Sequence, residues 1–376
     1  MEYRSLGSTG LTVSVLGFGG MRIPGRPEDE VAALIGAALD RGVRYIDTAP
    51  GYGNSEALIG QAVAGRDLTG VVFSTKTHVG SDKDADAVRR QAEGSLERLG
   101  IPRLDVLQMW GINTWEMAQQ VLAPGGPLAG ARRLQEEGLV GHVGFTTHAL
   151  TAVALRVMDT REFASVTGRY HYLDGVYDPL RRRAMELGMA FVAMTPLGQG
   201  WLAQPSAALR AALGPEDPVA FALRWIANRP GVATAIVGMS SLPELEAAHA
   251  ALGGELTAGE DYEAGAQWVI DRMVETLGAD YCTGCRQCLP CPVDINIPEL
   301  LRLNNLLRAY DLVGWCKDRY KLMGNADTWY PGVKADRCTE CGDCEPRCPE
   351  ALPIIRLLSA LHAELFEGDR GRLAKN

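Results

Sequence analysis

"PEDEVAALIGAALDRGVRYIDTA", residues 27–49, runs an amphipathic helical stretch straight into a short apolar strand. A helical period gives way within a few residues to a run that suits a buried strand. The pattern recurs along the first 280 residues. Candidate strands are "SVLGFGGM" (14–21), "YIDTA" (45–49), "VVFSTK" (71–76), "LDVLQMW" (104–110), "HVGFTT" (142–147), "ASVTGRY" (164–170), "AFVAMTPL" (190–197) and "TAIVGM" (234–239). Helix-like segments such as "DADAVRRQAEGSLERLG" (84–100) separate them. Eight β/α units in about 240 residues predict an α/β fold, the (β/α)8 TIM barrel. A doubly wound sheet would carry a Gly-rich fingerprint after its first strand, and "GFGGM" (17–21) matches that poorly. Ahead of the barrel, "EYRSLGSTGLTVS" (2–14) reads as a hairpin that closes the barrel bottom. "LAPGGP" (122–127) and "QPSAALRAALGPEDP" (204–218) read as loop insertions on the top side.

The chain has 376 residues, enough for one large domain and a small one. The expected division is a barrel over 1–276 and a second domain over 277–376. Hydrophobic residues make up 47%, which suits a globular core. No apolar run approaches the ~20 residues that span a bilayer, so no membrane role is expected. The start, "MEYRSLGSTG", lacks a basic-then-apolar export pattern, and a cytoplasmic location is expected. A net charge of −9 gives nucleic acid no electrostatic footing. Three basic residues between Asp369 and Lys375 read as a frayed tail.

The nine cysteines all follow Tyr281. "YCTGCRQCLPCP" (281–292) places Cys282, Cys285, Cys288 and Cys291 at three-residue steps, with a proline after the last. "CTECGDCEPRCP" (338–349) places Cys338, Cys341 and Cys344 at the same steps and Cys348 one residue further on, again before a proline. C-x2-C-x2-C-x3-C-P is the bacterial ferredoxin run, and the first run is a slight variant of it. Iron takes soft thiolate ligands, four to each four-iron cluster. Three ligands in one run wrap a cluster and the fourth reaches the other. On that rule Cys282, Cys285 and Cys288 share a cluster with Cys348, and Cys338, Cys341 and Cys344 share one with Cys291, giving two [4Fe-4S] clusters. Zinc prefers two separated pairs. A disulfide framework would be spread through a secreted chain. Cys316 is left over and reads as a buried small apolar residue. Between the runs, "NIPELLRLNNLLRAYDLV" (296–313) sets Leu300, Leu303, Leu307 and Tyr310 at helical spacing, so the second domain should be mostly helical. It resembles the α-helical ferredoxins.

The barrel segment resembles the aldo-keto reductases. The likeness lies in the hairpin, "LGFGGM", "YIDTAPGYGNSEALIG", "STKT", "LDVLQMW", "GLVGHVGFTTH", "TPLGQG" and "IVGMSS", in order over most of residues 1–250. The cysteine-rich tail resembles a branch of that superfamily with a cluster domain at its C-terminus. The resemblance implies reduction of a carbonyl with a nicotinamide cofactor, a tyrosine hydroxyl supplying the proton. By motif match that tyrosine is Tyr52. A free phenol, with a pKa of about 10, gives up its proton reluctantly at neutral pH, and an adjacent ammonium stabilises the phenolate. Lys76 matches that ammonium and Asp47 the carboxylate that orients it.

This chain departs from the family at several positions. Trp110 stands where the family has a histidine, and an indole N–H donates a hydrogen bond but relays no proton. Thr146, Thr147 and Thr167 replace the Ser, Asn and Gln that hold the carboxamide. Met194 replaces the stacking aromatic. Leu197 and Gly198 in "PLGQG", with Gly238 and Ser240 in "GMSS", retain backbone that can hold an anion. The family's Lys or Arg for a 2′-phosphate has no counterpart beside Met239, and Glu244 repels such a group. NAD(H) or NADP(H) is expected, with little preference between them. His78, His148 and His171 follow strand ends; one of them is a candidate substitute for the missing histidine, and each alone also reads as a hydrogen-bonded rim histidine.

The expected function is an oxidoreductase acting on a small organic carbonyl, alcohol or alkene, with a possible protein electron partner. Two alternatives stand beside it. One is a nicotinamide-independent lyase, isomerase or cluster-fed reductase on a repurposed barrel. The other is a non-enzymatic electron carrier.

Overall fold

The computed structural model describes residues 1–214, 216–252, 262–325 and 332–369. They form two compact units, Met1–Leu202 with Val219–Tyr262, and Ala203–Pro218 with Glu263–Asn376. The expected boundary at 276/277 falls at the end of the helix Tyr262–Leu277, which lies almost wholly in the second unit.

In the first unit, β1 (Tyr3–Ser5) and β2 (Thr12–Ser14) pair antiparallel as the expected hairpin. Eight parallel strands follow: β3 (Leu16–Gly19), β4 (Tyr45–Asp47), β5 (Val72–His78), β6 (Leu104–Trp110), β7 (Val140–Thr147), β8 (Ser165–Arg169), β9 (Ala190–Met194) and β10 (Val232–Gly238). They close in the order β10-β3-β4-β5-β6-β7-β8-β9. Every expected barrel strand is present, and the fold is the (β/α)8 barrel. Each apolar run is buried because helices cover its outer face, as a parallel sheet requires. The helix Ala85–Leu99 shows the local logic. The Asp84 side chain accepts from the Ala87 N–H at 2.8 Å to cap its start. Gly100, left-handed at φ 64°, ends it.

Leu6 and Val13 of the hairpin pack with Tyr45, Val72, Val106, Ala190, Val192, Ala233 and Ile236. That apolar plug fills the barrel at its N-terminal end, leaving the opposite rim for chemistry. "LAPGGP" is a tight link between the helices Trp115–Leu122 and Pro127–Glu136. Residues 204–218 differ from the expected top-side loop. They hold the helix Ala207–Leu213 and pack with the second unit, where the buried Ser206 hydroxyl donates to the Tyr310 carbonyl at 2.7 Å.

The second unit is mostly helical, with Tyr262–Leu277, Ile297–Tyr310, Val313–Leu322 and Ile354–Leu365. Cys316 is fully buried, and burial pushes its thiol up to about 12. Residues 370–375 of the basic tail lie outside the described residues. Among the described residues, no helix is long and apolar enough to cross a membrane.

Candidate functional site

Asp47 ends β4, and its register partner on β5 is Ser74. Lys76 lies two residues beyond Ser74, so the strand alternation returns it to the same face. The Lys76 ammonium donates to Asp47 Oδ1 at 2.5 Å and to the Thr48 carbonyl at 2.7 Å. Its Nζ is 4.7 Å from the centre of the Tyr52 ring. Lys76 and Asp47 are both buried. Burial pushes the Asp47 carboxyl up, against the pull of Lys76 and Ser74. Burial works against the Lys76 ammonium too, but Asp47 and then Tyr52 outweigh it and the net direction is upward. Each member of this pair therefore depends on its partners to stay charged.

The loop carrying Tyr52 is pinned by side chains that motif matching does not single out. Ser55 Oγ donates to the Gly20 carbonyl at 2.8 Å and lies 2.9 Å from Thr48 Oγ1. Buried Glu56 accepts from Thr75 Oγ1 at 2.6 Å and from Arg98 Nε at 2.7 Å. Trp110 is half-buried, and its ring meets Tyr52 edge-on with centroids 5.6 Å apart. A Cβ on Gly51 would come within 2.7 Å of the indole, so the loop needs glycine there. His78 meets the same indole edge-on at 5.2 Å.

Below this trio lies a polar chain inside the barrel. Gln108 Nε2 donates to Ser74 Oγ at 2.8 Å and to Asp47 Oδ2 at 3.3 Å. Ser74 Oγ donates to Asp47 Oδ2 at 3.2 Å. Thr167 Oγ1 donates to Gln108 Oε1 at 2.7 Å. Gln108 and Ser74 lie inside the stretches "LDVLQMW" and "STKT" without an assigned role; their inward alternation with Asp47, Lys76 and Trp110 is the signal that would have flagged them.

The other expected cofactor positions also sit at strand ends. Thr146 Oγ1 accepts from the Gly111 N–H at 2.9 Å, and Thr147 Oγ1 donates to the Ile112 carbonyl at 2.8 Å. Both threonines thus fasten the loop after Trp110. His148 donates its backbone N–H to Asn113 Oδ1 at 2.7 Å. His171 is buried, 5.8 Å from the Trp201 ring. Met194 ends β9 half-buried, and just beyond it Leu197 is half-buried and Gly198 buried. A Cβ at Gly198, where φ is +57°, would strike Trp201 Nε1 at 2.2 Å.

Gly238 ends β10, and buried Ser240 precedes the helix Leu242–Leu252. Here Glu244 folds back so that Ser240 donates to its Oε2 twice, from N–H at 2.7 Å and from Oγ at 3.1 Å. Arg22 Nη2 donates to Glu244 Oε1 at 2.9 Å, and Arg26 Nη2 to Ser240 Oγ at 3.3 Å. Partial burial opposes the Glu244 charge, but Ser240 and Arg22 hold its carboxyl below the usual range. The expectation that no Lys or Arg stands here is therefore corrected. Arg22 and Arg26 arrive from the segment after β3, which pairs with β10 at the barrel closure. The Glu244 carboxylate thus occupies the Ser240 N–H and hydroxyl and one guanidinium, the donor set that suits an anion.

The two cysteine runs fold alike. The backbone is left-handed at Gly284, Arg286 and Asp294 in the first, and at Glu340, Gly342 and Ala351 in the second. Those positions match, each counted from its own run's cysteines. Exposure repeats as well: Cys285 and Cys341 are exposed, Cys288 and Cys344 buried, the other four intermediate. Helices begin six residues after each fourth cysteine, at Ile297 and Ile354. One cavity is lined by Cys291 of the first run together with Cys338, Cys341 and Cys344 of the second, backed by Ile297, Ile355 and Leu358. Cys282 lies close enough to Cys285 and Cys348 to feel their charge. Cys291 thus lies beside the second run's cysteines, and Cys348 beside Cys282 of the first. All nine thiols are free. Among the described residues no three His, Cys, Asp or Glu converge tightly enough to hold a single metal ion. A cubane takes one thiolate at each of four irons and needs wider spacing. Burial pushes the Cys282 thiol up to about 11 and Cys288 to about 12, so their ionisation calls for a bound cation.

Residues 15–212 match the aldo/keto reductase family model, more than half of the chain. The chain belongs to the aldo/keto reductase family. It carries a second match, the 4Fe-4S dicluster domain, over residues 281–352. This aldo/keto reductase is 28% identical over 260 residues to a 6-dehydroglucose reductase of Novosphingobium aromaticivorans, covering 64% of this chain and 81% of the relative. It is 26% identical over 302 residues to an L-galactose dehydrogenase of Arabidopsis thaliana, covering 70% and 92%. Among solved structures, an aldo-keto reductase of Bacillus halodurans superposes with a TM-score of 0.63 at 22% identity, over 71% of this chain and 96% of that one, which bears on the fold alone. Family membership and reductase and dehydrogenase relatives make this aldo/keto reductase an oxidoreductase enzyme with an iron–sulfur domain. The reading as an electron carrier alone falls away.

Proposed function

We propose that this aldo/keto reductase interconverts a carbonyl and an alcohol on a small organic substrate, with Tyr52 moving the proton. The observation that carries the proposal is the Lys76 ammonium held between the Asp47 carboxylate and the Tyr52 side chain. A charged Lys76 stabilises a phenolate, so the Tyr52 hydroxyl can give its proton to a carbonyl oxygen and recover it in the reverse direction. The Trp110 indole N–H supplies a second donor at the same rim, fit to polarise that oxygen without taking part in proton transfer. A bound nicotinamide would supply or accept the hydride. Thr146, Thr147, Thr167 and Met194 would hold its ring end. Leu197, Gly198, Gly238, Ser240 and Glu244, with Arg22 and Arg26, would hold its phosphates. The two curated relatives are named for 6-dehydroglucose and L-galactose. Hexose-derived carbonyls and alcohols are accordingly the first substrates to try.

In the second unit, Cys282, Cys285, Cys288 and Cys348 are assigned to one [4Fe-4S] cluster and Cys338, Cys341, Cys344 and Cys291 to the other. Bound clusters would supply one-electron transfer, and the exposed Cys285 and Cys341 mark where a protein electron partner would approach. A cytoplasmic location suits such clusters. Titration of the purified holoenzyme with NADH and NADPH tests the proposal. Saturable binding of either, with oxidation in the presence of a hexose-derived carbonyl, is expected. Binding of neither would overturn the nicotinamide step and favour the nicotinamide-independent reading.

A further inference from the structure

The Tyr52–Lys76–Asp47 group does not end at Asp47. We propose that Gln108 is a positioning residue: its amide, oriented by Thr167, holds Asp47 in the ionised form that keeps Lys76 charged against Tyr52. The inference rests on the proton-transfer reading above.

Gln108 is fully buried in mid-strand on β6, where an amide costs stability unless every polar group is paired. Its hydrogen bonds run along one chain. Oε1 accepts from Thr167 Oγ1, and Nε2 donates to Ser74 Oγ and Asp47 Oδ2. The carboxylate accepts only, so the NH2 end has to face it. The Thr167 hydroxyl then pairs with the carbonyl end, and a flipped amide would set oxygen against carboxylate. Ser74 sits between as relay, taking from Gln108 and giving to Asp47.

Asp47 needs this help. Its Oδ1 is taken by Lys76, leaving Oδ2 in the buried barrel interior. The titratable groups around the pair are few. Tyr45, on the same strand, is fully buried and kept protonated by burial and by Asp47. Asp105, on β6, bears on Tyr45 and is tied to the Phe73 N–H at 2.8 Å. Lys76 and Tyr52 join them, and past Tyr52 the His78 ring stands against Trp110. Lys76 is the cation bonded to Asp47, so the donors on Oδ2 set how firmly Asp47 keeps its own charge. If they go, the buried pair can discharge by passing the Lys76 proton to Asp47. A neutral Lys76 no longer favours the phenolate.

The test is the ionisation of Tyr52 itself. Ultraviolet phenolate titration of the holoenzyme, with a matched Tyr52→Phe background subtracted, isolates that residue. Gln108→Met keeps the volume and removes both amide ends. It should move the Tyr52 titration to higher pH by about one unit, a tenfold change in its ionisation constant. The alkaline limb of kcat should move with it while KM stays near its original value. Ser74→Ala should give a smaller shift of the same sign. Thr167→Val should follow Gln108→Met in part, and Thr167→Ser should restore the original titration. An unmoved Tyr52 titration in Gln108→Met overturns the inference. So does a uniform activity loss at all pH values with no displaced limb, since that is what a packing role gives. Should Gln108→Met fail to fold, unmoved titrations in both Ser74→Ala and Thr167→Val overturn it equally. Full activity in Tyr52→Phe would sink the proton-transfer reading, yet the phenolate titration would still decide whether Gln108 governs Lys76.

Discussion

The two units of this enzyme build their sites in opposite ways. In the second unit, eight cysteines from two short runs repeat the same turns, the same exposures and the same helix starts. The chemistry there is written in local spacing. In the barrel, Asp47, Tyr52, Lys76, Gln108 and Thr167 come from four strands and a loop, and only Asp47 and Tyr52 share a run. Parallel strands bring them together because each strand presents one inward side chain at the same height. A local site tolerates change elsewhere in the chain, whereas a dispersed one depends on register at every strand.

The comparison can be broken by single substitutions. The largest effect is expected from Tyr52→Phe, which removes one oxygen from the barrel site. Turnover should fall by about 10²–10⁴-fold, the usual worth of a general acid. Iron content and thermal unfolding should stay unchanged. Undiminished turnover on the native substrate would show that the dispersed site does not act through this phenol.

Lys76→Met should cost a comparable factor in steady-state turnover. With the ammonium gone the phenol holds its proton to higher pH, so the alkaline limb of the remaining activity should move upward. A limb that moves downward or stays would mean that Lys76 supports only the fold.

For the local site, oxygen-free holoenzyme should contain about eight irons and about eight labile sulfides per chain. Cys348→Ser should lose about half of both, through the cluster held by the first run. Loss from the second run's own cluster, read by Mössbauer or EPR signals, would break the crossed assignment. Zinc as the main metal would break it altogether.

A smaller effect is expected at the barrel's nucleotide end. Glu244→Ala frees Arg22 and Ser240 from a carboxylate, with Arg26 alongside on the Ser240 hydroxyl, and competition binding should shift toward NADPH by about tenfold, near 1.4 kcal/mol. An unchanged ratio would place the 2′-phosphate elsewhere. The smallest effect belongs to Cys316→Ser. Its thiol sits 3.5 Å from the Leu303 carbonyl inside helix packing, and iron content should not change.

The sequence by itself determined the eight strands and the hairpin, because each short apolar run has one buried solution and the helical period between them fixes a parallel sheet. It also determined the cysteine runs, because thiol spacing along one segment survives any tertiary arrangement. Asp47, Tyr52 and Lys76 were legible through their motif. The tertiary structure alone decided which side chains they meet. Arg22 faces Glu244 across 222 residues because barrel closure sets β3 beside β10. Gln108 reaches both Asp47 and Thr167 because inward alternation on β4, β6 and β8 ends at one level. Neither pairing leaves a trace in spacing or composition. Hydrogen bonds across a barrel are selected by register and burial, and those arise only when the sheet has closed.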